Sequence, residues 1–552
     1  MRITTKVIQN NSLTNINTNK LLQDKLSQQM STEKKVTRPS DDPIVAIRAL
    51  RLRTNVNQVT QYYEKNVPDA ESWLEVTESA LSSMSEVITD MIAQCTKGSN
   101  EDLTTSDRNT ILTALKALKE EVYSTGNSDY AGRYIFTGYR TDTPLTFKED
   151  TKQLYTITEQ LDNTRIDAVT HVKTDHLLDI DESNYMNDGD GQDAAGVADP
   201  KDTVNHAGVQ ENDVQQEEVH RIRLSYDDVE AAIDVNGDAN FSIQVHVGER
   251  VENGVTIPEF DDLKNILADL EYKVASIYGD QSPYGNVGPN DVVIVKETGE
   301  MLLGENIYDD LMARKDIPGT PTNEGEIQIV YNKENWKDGA LRPEHYFDCT
   351  TTVDNKTIRY NEDYTKGISN EEKQNIEYDV GLNQTIRVNT TADEVFVHEI
   401  GRDVDDLIKS LEDTIAMENQ VAKIKQMLEE KANELTQQEV DVLNNQLAAM
   451  EKAFTFLNEK TQKLFEGGIT KMQGHLDTVN FAVTENGTRG QKLELISNRL
   501  MSQKTNFETL KSENEDIDIT EVAIKLSSAE LTYSSALMAT GKVLQNNLMN
   551  FI

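Results

Sequence analysis

Cysteine is nearly absent from these 552 residues; only Cys95 and Cys349 occur. Two cysteines exclude a disulfide framework and a cysteine-built zinc site. Cys95 falls on an apolar helical seam, where a free thiol acts as a small packing residue. Aromatic residues are scarce at 6%, and no apolar run is long enough to cross a bilayer. The first thirty residues space Ile3, Val7, Ile8, Leu13 and Ile16 among Asn, Thr and Gln. They lack the unbroken apolar stretch of a cleavable secretory signal, so any export is expected to use another route.

Positive charge is also in short supply. Lys and Arg number 54 against 96 Asp and Glu, a net of −42. Residues 142–400 carry 55 acidic and 21 basic side chains, an excess of 34. Such a surface repels phosphate, which argues against a nucleic-acid partner, and it suits a solvated outer domain. Residues 1–53 reverse the sign, with ten basic against four acidic residues. Their Asn/Gln/Thr/Ser-rich start reads as a mobile tail. A chain of this length is expected to form two to four domains.

Catalytic constellations are missing as well. His398-Glu399 is followed by Ile400-Gly401-Arg402, so no second histidine completes a zinc-protease motif. Asp234, Asn236, Asp238 and Asn240 imitate a calcium loop, but Ala239 replaces its glycine and Val245 its closing Glu, which leaves a turn between strands. Asp188-Gly189-Asp190-Gly191 reads as a solvated loop. No nucleophile elbow or phosphate-cradling loop occurs. No enzyme activity, cofactor or metal is expected.

What the chain does have is helical periodicity at both ends. Ala49, Arg53, Val56, Thr60, Tyr63, Val67, Ala70, Leu74, Thr77, Leu81, Met84, Ile88, Met91 and Cys95 recur in steps of four and three, the period of a supercoiling helix. Ser40-Asp41-Asp42 offers caps and Pro43 suits the first helical position. One helix is predicted from Pro43 to about Lys97, with Pro68 as a possible kink. A second helix is predicted over Ser106–Ser124, followed by a short strand within Ala131–Tyr139. The C-terminal part turns helical near Asp403, with breaks near Leu435, where Thr436 to Glu439 forms a capping box, and at Gly467-Gly468. The last helix starts at Asp518, with Ile517 and Val522 as a hydrophobic staple. Its seam is Ile519, Val522, Leu526, Ala529, Tyr533, Ala536, Thr540 and Val543, and Leu537, Leu544, Leu548 and Phe551 carry apolar character to the end.

Between the helices lies a β-rich segment. Phe241, Ile243, Val245 and Val247 read as one strand face, Val292–Leu303 as a hairpin, and Ile327–Tyr331 and Ile386–Val388 as strands. A helix is predicted over Asp261–Ser276, and residues 181–218 read as a mobile loop.

The expected architecture is mainly α with a β-rich α+β insertion. Long N- and C-terminal helices pack as a coiled-coil rod with a projecting central domain, and the two end seams bury each other. The divisions are a terminal segment 1–42, a half-rod 43–141, an acidic insertion 142–400 of one or two subdomains, a half-rod 401–536 and a terminal segment 537–552. The intramolecular seam is assigned to Leu74, Leu81, Met84, Ile88, Met91, Ile519, Val522, Leu526 and Tyr533. Ser40, Asp41, Asp42 and Pro43 form the cap and a candidate subunit contact.

Several motifs resemble a known family. Met1-Arg2-Ile3-Thr4, Arg38-Pro39-Ser40-Asp41-Asp42-Pro43, Gly132 to Tyr139, Asp518-Ile519-Thr520-Glu521, Ala529 to Tyr533 and Leu548 to Ile552 are similar to the hook-associated family of flagellar junction proteins, relatives of flagellin. Leu341 to Thr350 resembles an insert of some Gram-positive members. The resemblance implies a structural subunit of the bacterial flagellum between hook and filament, secreted unfolded through the flagellar type III channel. It implies terminal segments that order on assembly, a homo-oligomeric ring, and contacts with another hook-associated junction protein and with flagellin. It also implies an export chaperone on the C-terminal helix, with Leu537, Leu544, Leu548 and Phe551 as candidates for chaperone or intersubunit burial. Flagellin, whose members carry an Ala-Asp-Asp-Ala run where this chain has Ser40–Pro43, is the alternative. An adhesin-like module on a helical stalk is another.

Overall fold

The computed structural model describes residues 5–545 except 175–176, 178–209, 236, 253–254, 280–281, 315–326, 354–355, 366–373, 431–434 and 436. The expected loop motif at Asp188–Gly191, most of the loop 181–218 and the Thr436 cap lie outside the described residues. In chain order the helices and strands begin with α1 (Thr5–Thr32), α2 (Pro43–Gln61), α3 (Val67–Gly98), α4 (Thr105–Thr125), β1 (Asp129–Tyr130) and β2 (Arg133–Tyr134). There follow β3 (Thr151–Leu161), β4 (Ile166–Val172), β5 (Gln216–Arg223), β6 (Ser242–Glu252), β7 (Val255–Asp262), α5 (Leu263–Ile266), β8 (Glu271–Ala275), β9 (Asp291–Val295), β10 (Glu300–Leu303) and α6 (Glu305–Ala313). The remainder is β11 (Ile327–Trp336), β12 (Asp348–Val353), β13 (Lys356–Tyr360), β14 (Glu377–Gly381), β15 (Gln384–Arg387), α7 (Ala392–Val395), α8 (His398–Glu430), α9 (Gln437–Glu515) and α10 (Ile519–Gln545).

The chain forms two compact units. One comprises Met1–Ser72, Glu377–Arg387 and Arg489–Ile552; the other comprises Trp73–Ile376 and Val388–Thr488.

In the first unit, residues 5–32, expected within a mobile tail, are helical and pack on α10. Leu26 and Met30 meet Ile517, Val522, Leu526 and Ala529. The staple residue Ile517 is thus in place, and Asp518 Oδ1 accepts from Thr520 N at 2.9 Å and Glu521 N at 3.2 Å. The expected kink at Pro68 is instead a π-helical turn over Tyr62–Asn66, closed by Val67 N–H to Tyr62 O. Proline has no N–H to donate and its ring crowds the carbonyl four residues back, so a wider turn just ahead of it relieves both problems. The β14–β15 hairpin lies against this turn, where Asn66 Nδ2 donates to Asp379 O at 2.7 Å.

In the second unit the α3 seam is buried, including Leu74, Leu81, Met84, Ile88 and Met91. Its partner is α9, whereas the sequence paired it with the last helix. Asn486 Nδ2 donates to Leu74 O at 2.9 Å, and Phe465 and Gly468 lie beside Gly98 and Cys95. The break expected at Gly467-Gly468 is absent because α9 continues through both. Gly468 faces Leu407 and Cys95, and the ~1 kcal/mol helical cost of each glycine is absorbed by a long, packed helix. The α8–α9 pair adds a core of Met417, Val421, Ile424, Leu443, Met450 and Leu457.

Besides the β14–β15 hairpin, two larger sheets hold the strands of the β-rich segment among the described residues. The larger has the order β13-β12-β3-β11-β6-β7 and is antiparallel throughout; the smaller, β4-β5-β10-β9-β8, is antiparallel except for β8 against β9. The predicted hairpin is β9–β10, and Gly299 at φ +60° is required there, since a Cβ would lie 2.0 Å from Tyr226 O. The segment Leu341–Thr350 is mostly buried and leads into β12.

Four further expectations are corrected. Only one helical turn, α5, forms within Asp261–Ser276, because the following residues pair in parallel with β9 as strand β8. Val247 is exposed while Phe241, Ile243 and Val245 are buried, because a bulge between His246 and Gly248 shifts the alternation. The Ala131–Tyr139 strand reduces to Arg133–Tyr134, paired with Asp129–Tyr130 across a turn with Ala131 and Gly132 at positive φ. Residues 216–218, assigned to the loop, begin β5.

Glu159, on β3, is fully buried and accepts from Ser225 N at 3.0 Å and from the Tyr331 hydroxyl. Burial pushes its carboxyl up to about 7, against the lowering effect of those donors. A raised folded-state value means that the unfolded chain gives up its proton first as pH rises. Stability from this site should therefore fall between pH 4.5 and about 7, by roughly 3 kcal/mol. Glu159→Gln is expected to flatten that part of the stability–pH curve and to raise stability at pH 8, as measured by urea unfolding.

Candidate assembly surface

The first unit holds most of the residues singled out at the chain ends. Pro43 opens α2, and Asp42 is its cap: Oδ1 accepts from Ile44 N at 3.0 Å and Val45 N at 3.1 Å. Ser40 and Asp41 do not share that duty. Asp41 closes the preceding turn, with its Oδ2 accepting from Arg38 N at 3.2 Å. Asp42→Ala should cost about 1 kcal/mol and Asp42→Asn far less, as read by thermal unfolding.

The turn after α1 is tied to the turn after α9. Lys35 N donates to Glu515 O at 2.7 Å and Ile517 N to Glu33 O at 3.1 Å. The buried Glu515 carboxylate receives Arg53 through two bonds of 2.7 Å, and Lys34 reaches Asp516 at 2.5 Å. A bidentate guanidinium–carboxylate pair fixes direction as well as distance. This clamp sets α1, α2, the end of α9 and α10 relative to one another within the unit.

Their inner faces are satisfied and their outer faces are not. Val522 and Ala529 are buried, and Leu526 and Tyr533 are half-buried. Ile519, assigned to the seam, is exposed: it is the first residue of α10, ahead of the stretch covered by α1. Leu537 is exposed at 44%. Leu548 and Phe551 lie outside the described residues, as does the side chain of Leu544.

Sequence reasoning missed two outward stripes. On α2, Ile44, Ile47 and Leu50 are 80%, 54% and 61% exposed. On α10, Ile524, Leu531 and Met538 are 66%, 70% and 65% exposed. Leu13, Leu21 and Leu22 of α1 are exposed too. The first set has i, i+3, i+6 spacing and the second repeats every seven residues. Both periods were visible in the sequence, but the buried seams drew the reading. Exposed apolar stripes of this kind are candidates for a surface that another chain covers.

Chemistry of another kind is not gathered here. Among the described residues no cluster of three or more His, Cys, Asp and Glu is placed to hold a metal, and no helix is long and apolar enough to cross a membrane. His398 is buried between Tyr226, Tyr346 and Phe347, and burial lowers its pKa to about 3, which makes it a neutral core residue.

These helices define the class of the N-terminal region. Residues 3–141 match the bacterial flagellin N-terminal helical region. More particularly, the chain is similar to flagellar hook-associated protein 3 of Salmonella typhimurium, with 31% identity over 199 residues, 35% of this chain and 62% of that protein. It is likewise similar to flagellar hook-associated protein 3 of Escherichia coli, 31% identical over 195 residues, 35% of this chain and 61% of that one. The match thus spans less than two thirds of the length of either relative. A solved hook-associated protein 3 from Legionella pneumophila aligns over 84% of this chain and 97% of its own, at 11% identity and a TM-score of 0.29. At that score the likeness says nothing about function.

Proposed function

We propose that the chain is a structural subunit of the bacterial flagellum that joins hook to filament. In this reading it is exported by the flagellar type III system and sits outside the cell. It assembles through its terminal helices as a homo-oligomeric ring, between another hook-associated junction protein and flagellin. Before export, the end of its C-terminal helix is held by a chaperone, and the terminal segments order on assembly.

The observation that carries the reading is the pair of outward apolar stripes on α2 and α10, in the unit built from both chain ends. Helices whose inner faces are already packed need no further apolar residues unless another subunit covers them. The similarity to hook-associated protein 3 supports the position in the flagellum. The match of residues 3–141 to a flagellin region also favours a second reading, a filament subunit.

Electron microscopy of a strain lacking the gene separates them. The junction role requires intact hooks without filaments and flagellin shed into the medium. Normal filaments would exclude both readings. Loss of filaments with no soluble flagellin in the medium would favour the filament subunit.

A further inference from the structure

The second unit contains a cleft of about 880 Å³ bordered by α4, the start of α8, and the residues around β3 and β11. That volume is within the range of small-molecule sites. Its lining runs against the charge of the chain. Lys116, Lys119, Lys148, Lys333, Lys337 and Arg402 contribute six cations, while Glu120, Asp227, Asp338 and Asp405 contribute four carboxylates. The lining thus carries a positive surplus in a chain whose net charge is −42.

Pairing sharpens the contrast. Lys116 and Lys119 are neutralised by Glu412 at 2.7 Å and Asp405 at 2.6 Å. Lys333 and Arg402 have only longer ion pairs, and Lys148 and Lys337 have none among the described residues. Lys148 Nζ donates to the Tyr134 hydroxyl at 2.6 Å, and the Lys337 ammonium has no ion pair among the described residues. Lys333 is buried; its ammonium is held by the carbonyls of Asp227 and Asp228, with the Asp227 carboxylate 3.5 Å away. Arg402 donates to the Leu224 and Thr298 carbonyls, and Asp405 lies 3.9 Å from it. Two fixed, largely desolvated charges thus accompany two exposed lysines, of which Lys148 is held only by a neutral hydroxyl. In a chain so rich in carboxylates, a surplus of cations in one concavity, only partly offset by Asp227, leaves a field that a ligand can complete.

We propose that this cleft binds a small organic polyanion, one bearing at least two carboxylate or phosphate groups, with Lys148 and Lys337 as the direct contacts and Lys333 and Arg402 supplying the fixed field. The site is independent of the assembly surface and of the role proposed above.

Isothermal titration calorimetry of the full chain with citrate and with pyrophosphate tests it. Binding of at least one anion is expected with a Kd below about 1 mM at low salt, weakening as salt is added. Lys148→Ala with Lys337→Ala should weaken it by about tenfold or more. Both side chains are exposed, so the variant's melting temperature should match the parent's. Arg48→Ala with Arg51→Ala removes cations on α2, outside the cleft, and should leave affinity unchanged. Preference between the anions tells a carboxylate ligand from a phosphate one, and either supports the site. No binding of either anion, undiminished binding by the lysine variant, or equal loss in the arginine variant would overturn it.

Discussion

Replacing Ile44, Ile47 and Leu50 together by aspartate is expected to abolish incorporation into the flagellum while leaving the free subunit folded. All three side chains are more exposed than covered on α2, so the monomer loses little packing when they are changed. Burial against a neighbour would stabilise assembly by about 1.5–3 kcal/mol for each such side chain, and carboxylates there add a desolvation penalty. The cap that starts the helix is Asp42, which the substitutions leave in place. Complementation of a deletion strain, scored for filaments, gives the assembly result, and circular dichroism of the purified variant gives the folding one. Normal filaments would remove the α2 stripe from the account.

The second large effect concerns the second unit. Asp403 is expected to be the most costly single carboxylate to remove. It is buried on α8 and receives Arg223 of β5 at 2.6 Å, with Lys471 at 2.9 Å and His475 at 3.1 Å from α9. Arg223 and Arg221 also bind Asp406 at 2.8 Å and 2.6 Å, and Arg221 binds Asp167 at 2.9 Å and Glu300. Burial alone would raise the Asp403 pKa, but the His475 hydrogen bond, Arg223 and Lys471 outweigh it and hold it well below the usual carboxylate range. Because the folded value is depressed, its stabilising contribution is fully present above the ordinary value of 3.8 and is lost only as pH falls below it. Asp403→Ala leaves Arg223 partly buried with one carboxylate fewer and should cost about 3–5 kcal/mol. Thermal unfolding at neutral pH gives the size of the loss. Limited proteolysis should show earlier cutting around β5. A loss under about 1 kcal/mol would mean that the network is solvated and dispensable.

The helical ends were legible because their signals are local. The cap at Asp42, the start at Asp518 and the period of Leu74, Leu81, Met84, Ile88 and Met91 need only neighbours within a few turns. Partners were not legible. Two heptad seams fix which faces are buried, but nothing in their spacing says that α3 meets α9 while α10 meets α1. Glycine misled the reading at 467–468 because the punctuation rule concerns isolated helices, and a packed one tolerates it. Within the insertion, the leucine spacing after Asp261 imitated a helix, while the pairing of β8 with β9 lies far along the chain. Val247 was misplaced by one bulge, which no alternation pattern announces. Most consequential was the outer face of α10. Ile524, Leu531 and Met538 repeat as regularly as the inner seam, and only burial separates the set that packs inside the subunit from the set left for a neighbour. The charged cleft was invisible for the same reason, since its lysines and Arg402 are scattered from Lys116 to Arg402 in sequence.

Immunogold electron microscopy of intact flagella, with antibodies raised against the folded chain, tests the central claim most directly. The junction account requires gold in a single band where hook meets filament. Label along the filament, or on the cell surface away from flagella, would contradict it.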